Sequence, residues 1–153
     1  MNNKNYKLLM VLVALPLVAA GCNRGGSVSD ETASVTIAEQ TLSVQVADTP
    51  ELREQGLSGR ESLGANEGML FKFPAAGKYG FWMKDMKFPL DLIWIKDGKV
   101  AEVTLNAKPE PGVQDSALYR YVSQQEIDSV LEVNAGWAVQ NKIRVGDSVD
   151  VTE

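Results

Sequence analysis

Lys84, Asp85 and Asp91 stand among the apolar residues of one stretch, FWMKDMKFPLDLIWI (Phe81–Ile95). Asp85 and Asp91 flank Pro89, and a bend there would bring their carboxyls together. Glycoside hydrolysis uses two carboxyls about 5 to 10 Å apart, one with a raised pKa. A small domain leaves little room for a deep saccharide cleft, and Asp beside Pro is a frequent turn device. The structural alternative is that Asp85 occupies a turn and Asp91 caps backbone amides where a strand begins. Trp82 alternates with Phe81 and Met83, so on a strand it shares a face with Lys84. An aromatic ring beside charge is a platform for a sugar, a peptide or another small ligand. Met69, Met83 and Met86 could offer thioethers to Cu(I). Methionine is also the adaptable filler of cores, and with no cysteine or histidine to assist, core packing is the stronger reading.

Absent residue types restrict the chemistry further. The chain of 153 residues has no histidine and one cysteine, Cys22. A Ser-His-Asp triad and imidazole metal ligands are therefore excluded. No GxxxxGK[ST] or GxGxxG motif occurs, so phosphate-cradling loops of those types are absent. Any catalysis would have to use carboxylates, Lys or Tyr. No cofactor is expected.

The N-terminus speaks to location. Lys4 and Lys7 precede an apolar run of thirteen residues, Leu8 to Ala20, which is too short for a stable membrane span and reads as a secretory signal over residues 1–21. Ala19-Ala20-Gly21-Cys22 resembles a bacterial lipobox, with Ala19 at the position where Leu is usual. Lipidation of Cys22 is expected, and with it attachment to a membrane through the acyl chains. Asn23 is not the Asp that retains some lipoproteins at the inner membrane, which favours the outer membrane of a Gram-negative host. Processing would leave 132 residues without a cysteine, with 13 basic against 20 acidic side chains and a net charge of −7. Such a charge gives no support for nucleic-acid binding. Residues 22–33, polar and glycine-rich, read as a tether, and residues 34–153 as one domain.

Elements that would position the candidates follow from periodicity. Alternation at Val35 and Ile37, then at Leu42, Val44 and Val46, predicts two strands joined at Glu39-Gln40. Thr49-Pro50-Glu51 predicts a helix start and Gly56 or Gly59 its end. GMLFKF predicts a strand stopped by Pro74, and KYGFWMK another. LDLIWIKDGKVAEVTL predicts a hairpin turning at Asp97-Gly98, in which Trp94, apolar on both sides, is buried. Residues 106–118 predict a loop, YRYVS and IDSVLEV further strands, Gly136 to Asn141 a short helix, and Ser148–Val151 a last strand. The fold class is α+β, mainly β: a curled sheet or partly open barrel of about eight strands with one or two short helices.

GLSGRESL (56–63), GMLFKFP (68–74), YGFWMKDMKFPLDLIWI (79–95), YVS (121–123), VLEVNAG (130–136) and IRVGDSV (143–149) occur in that order. Together they closely resemble the DUF192 family, also called UPF0127, over roughly residues 34–152. The resemblance implies a small, often secreted or lipid-anchored protein and carries no reaction with it. The family's signature resembles FWMKNT followed by PLD, so Asp85 and Met86 stand where Asn and Thr are usual. Trp82, Lys84 and Asp91 match.

The expected function is a membrane-anchored binding module for a small ligand or an envelope component. Its ligand surface would involve Trp82, Lys84, Asp85 and Asp91, with Arg60 and Glu67 as neighbours. The alternatives are a carboxylate-dependent enzyme acting on an envelope polymer, and a domain in which these residues only build the fold.

Overall fold

The computed structural model describes residues 32–153; the signal segment, Cys22 and most of the tether lie outside them. Among the described residues there are nine strands and two short helices, a mainly β α+β domain as the sequence indicates. β1 (Thr32–Ile37) and β2 (Gln40–Ala47) form the first hairpin. β1 begins two residues inside the stretch read as tether, and Ala33 is already buried. The turn is Ala38-Glu39, both with positive φ, one residue earlier than expected. Gln40 pairs with Ile37 as the first residue of β2.

α1 (Pro50–Gln55) starts at Thr49, whose hydroxyl accepts from the Leu52 amide, and stops at Gly56. It crosses over from β2 to the parallel β3 (Glu67–Gly77). Pro74 does not stop β3. The register against β8 (Ile127–Asn134) is irregular between Lys72 and Gly77, and a residue without an N–H is tolerated where the ladder is already broken. β4 is only Gly80–Phe81, paired with β7 (Tyr121–Val122). The expected strand KYGFWMK thus shrinks to two residues, because the chain turns at Met83 to Met86.

β5 (Leu90–Lys96) and β6 (Lys99–Ala107) form the expected hairpin, with positive φ at Asp97 and Gly98. β8 (Ile127–Asn134), α2 (Trp137–Gln140) and β9 (Val149–Thr152) complete the chain. Seven strands make one sheet in the order β6-β5-β8-β3-β2-β1-β9. The sheet curls until the Val149 amide donates to the Gly98 carbonyl at 2.8 Å, at the tip of the β5–β6 hairpin. The result is a half-barrel.

Each face of the sheet carries its own core. Inside the curl lie Val35, Ile37, Val44, Leu70, Ile93, Leu131 and their neighbours, covered by Trp137. On the outer face of β3, β8 and β5 lie Met69, Phe71, Leu92, Trp94 and Val130, covered by Leu57, Met83 and the segment 79–88. β5 is buried on both faces, which is why LDLIWI reads as a nearly continuous apolar run. Gly68 is required by packing: a Cβ there would stand 2.8 Å from the Glu132 backbone oxygen.

Candidate functional site

The candidates in FWMKDMKFPLD separate into two places. Trp82 and Lys84 stay together: the Lys84 ammonium lies 5.8 Å from the Trp82 ring centroid. Two residues not singled out by the sequence join them. The Arg120 guanidinium lies 3.6 Å from the ring centroid, and Asp115 pairs with Lys84 at 2.6 Å. The Asp115 hydrogen bond raises the Lys84 pKa above its ordinary value. The cluster is solvent-facing, so its ion pair contributes little to stability. Neither partner was legible beforehand, since both come from the 106–120 connection.

Asp85 is exposed, with a left-handed φ of 53°. Asn and Asp are the non-glycine residues that tolerate this region best. That explains how Asp can stand where the resembled family has Asn: the position needs a backbone conformation. Its carbonyl accepts from the Gly59 amide at 2.9 Å, and the Lys84 carbonyl accepts from the Ser58 hydroxyl at 2.8 Å. GLSGR and FWMKD are therefore two halves of one loop–loop contact.

Asp91 is fully buried, on the opposite face of β5 from Trp94. One carboxyl oxygen accepts from Asn106 N at 2.9 Å; the other accepts from Gly136 N at 2.9 Å and Ala138 N at 3.0 Å. The carboxylate thus ties β5 to the end of β6 and to the start of α2. Arg60 donates to the Gln45 side chain, and Glu67 accepts from the Gly64 amide. Neither contacts the Trp82 cluster. Among the described residues no group of three His, Cys, Asp or Glu could hold a metal ion.

Beside Trp82 lies a cavity of about 360 Å³ between α1, the outer face of β3 and the 79–86 segment. This is within the size range of small-molecule sites. Its walls are aromatic. Phe81 packs edge-on against Phe71 at 4.9 Å and Trp94 at 5.4 Å, and Tyr79 stacks on Phe73 at 3.6 Å. These contacts lock the rings that line the cavity. Arg53 sits at its side, donating to the Asp48 and Lys72 carbonyls and lying 5.5 Å from the Phe73 centroid.

One acidic side chain lines this cavity from the sheet: Glu132, on β8 between Met69 of β3 and Leu92 of β5. It is only 5% exposed, and burial pushes its carboxyl pKa up to about 8. Sequence reasoning passed over it as part of VLEVNAG. The signal was present: an acid in the middle of an apolar strand, on the same face as Val130, where an exposed residue has no place. A buried carboxyl with a strongly perturbed pKa in a concave site is a candidate functional position.

The DUF192 family model, described as Uncharacterized ACR, matches residues 33–151. No curated protein matches. A candidate transcription regulator from Sinorhizobium meliloti 1021, solved by crystallography, is 31% identical with a TM-score of 0.73, over 82% of this chain and 98% of that one. A crystallised protein of unknown function from Novosphingobium aromaticivorans DSM 12444 is 29% identical with a TM-score of 0.68, over 78% and 83%. With the family model spanning all nine strands except the ends of the first and last, this chain belongs to the DUF192 family.

Proposed function

We propose that the domain is a small-molecule binding module, carried outside the cytoplasm on a lipid anchor at Cys22. The observation that carries the binding reading is the aromatic cavity beside Trp82: concave, mostly apolar, with few polar groups, as ligand sites are. Trp82 belongs to both this cavity and the Lys84–Asp115 cluster, so the charges stand at its margin. The carboxylate-enzyme alternative needs two cooperating acids. Asp85 faces solvent, and Asp91 spends both oxygens on backbone amides across the sheet. That arrangement removes Asp85 and Asp91 as a cooperating pair.

The neutral fluorescent probe N-phenyl-1-naphthylamine tests the reading. Saturable one-to-one binding is expected, weakened about tenfold by Trp82→Ala, on the scale of one lost aromatic contact. The melting temperature should change little, because Trp82 is only half-buried. Absence of saturable binding to the wild-type domain would refute the proposal. The anchor has its own test. Full-length protein expressed in a Gram-negative host should fractionate with the outer membrane, and Cys22→Ser should move it to the soluble fraction. Unchanged membrane fractionation of Cys22→Ser would end the lipoprotein reading.

A further inference from the structure

We infer that the cavity takes an organic cation, an amine on an apolar or aromatic body, whose charged end pairs with Glu132. This rests on the binding reading above and names its ligand class.

The geometry of Glu132 is the first argument. Its carboxyl makes no hydrogen bond or ion pair among the described residues, although its neighbours on both sides are apolar strands. No fully enclosed side-chain oxygen or nitrogen there lacks a partner. The unpartnered Glu132 oxygens are therefore open to the cavity that the residue lines. A buried carboxyl without a partner is costly, and a native structure usually has a reason for it. A cation entering the cavity supplies the missing partner.

The surroundings are the second argument. Charged and titratable groups facing the cavity are Arg53 and Glu54 of α1 and Tyr79. Arg53 directs its guanidinium at two backbone carbonyls, and the Tyr79 hydroxyl donates to Ala75 O at 2.6 Å. From β3 the nearest basic group, Lys72, pairs with Glu153. From β5, Asp91 belongs to the opposite face of the sheet. None of these cations neutralises Glu132, and burial alone raises its pKa. The aromatic walls suit the same ligand, since ring faces attract cations. The net acidity of the chain, −5 over its full length, favours the approach of positive ligands.

Proton balance makes the inference measurable. Well below pH 8 the free protein holds Glu132 mainly as the neutral acid. Binding an ammonium expels that proton to solvent and leaves a carboxylate–ammonium pair. A neutral ligand would instead accept a hydrogen bond from the protonated acid and keep the proton in place.

Three matched probes separate the cases: 2-naphthylmethylamine, 2-naphthylmethanol and 2-naphthoate, titrated calorimetrically from pH 6 to 8, where an alkylamine remains protonated. The amine is expected to bind at least about tenfold tighter than the alcohol at pH 8, the scale of one buried charge-assisted bond. Its affinity should rise about tenfold per pH unit near pH 6, with release of one proton, and the rise should flatten as pH approaches 8. Glu132→Gln should abolish both the preference and the pH slope. If the alcohol binds as well as the amine, and tightens as pH falls, Glu132 is a donor to neutral ligands and the cation inference is overturned. Preferred binding of the naphthoate overturns it too. If none of the three binds, the pocket reading itself fails along with it.

Discussion

Asp91→Ala is expected to lower stability by about 3 kcal/mol or more, because three amides lose a charged acceptor and remain buried. For a domain of this size the melting temperature should fall by roughly 10 °C. The three donors belong to Asn106, Gly136 and Ala138. They sit on two chain segments, the end of β6 and the start of α2, which the carboxylate ties to β5. Asp91→Asn should be milder, since one side-chain oxygen survives, but its amide group would face donors rather than acceptors. Thermal unfolding followed by circular dichroism measures both. Amine and alcohol affinities measured well below the transition should be unchanged, because Asp91 and the cavity lie on opposite faces of the sheet. A stable Asp91→Ala variant, or one that folds normally yet loses ligand affinity, would remove the capping role assigned here.

Glu132→Gln carries the second large effect, and its sign depends on pH. The carboxyl ionises near 8 in the folded protein against 4.5 as its ordinary value. The folded state therefore holds a proton that the unfolded state has lost over that interval. Stability contributed by this group is fully present below about pH 4.5. It declines as pH rises and is lost once pH passes through the folded value near 8, by several kcal/mol in order of magnitude. Wild type should accordingly be several kcal/mol less stable at pH 9 than at pH 5 from this residue alone. Glu132→Gln removes the titration, so the difference in stability between variant and wild type should grow from near zero at pH 5 to clearly in favour of Gln at pH 9. Urea unfolding across that range reads it. A difference that stays constant from pH 5 to 9 would mean that Glu132 keeps its ordinary pKa. A saturating cation should restore wild-type stability at high pH, by mass action on the folded state.

Local elements were legible where local chemistry decides them. Thr49-Pro50 starts a helix through side-chain capping and a fixed φ, and Asp97-Gly98 turns a hairpin through two residues that tolerate positive φ. Burial of Trp94 followed from apolar neighbours on both sides. Misplaced boundaries have a common cause. Ala38 and Glu39 adopt positive φ against their own preference because the β1–β2 register requires it. Pro74 stays within β3 because the partner strand is already out of register there. Trp82 and Lys84 leave the strand because Met83 turns into the outer core and the Lys84 and Asp85 carbonyls dock on Ser58 and Gly59.

By itself the sequence determined the mainly β domain, the absence of imidazole chemistry and the family, because alternation, turn residues and composition are local properties. It also marked Asp91 as an amide cap among its alternatives, and the structure shows those amides. Only the tertiary structure decided which charges share a space. Asp85 and Asp91, six residues apart, end on a solvent-facing loop and a sealed sheet face, while Glu132 and Trp82, fifty residues apart, line one cavity. A strand sends alternate side chains to opposite faces, and pairing with distant strands chooses which face meets a helix, a core or a pocket. That choice is made by β8 lying between β3 and β5, a relation between residues far apart in the chain.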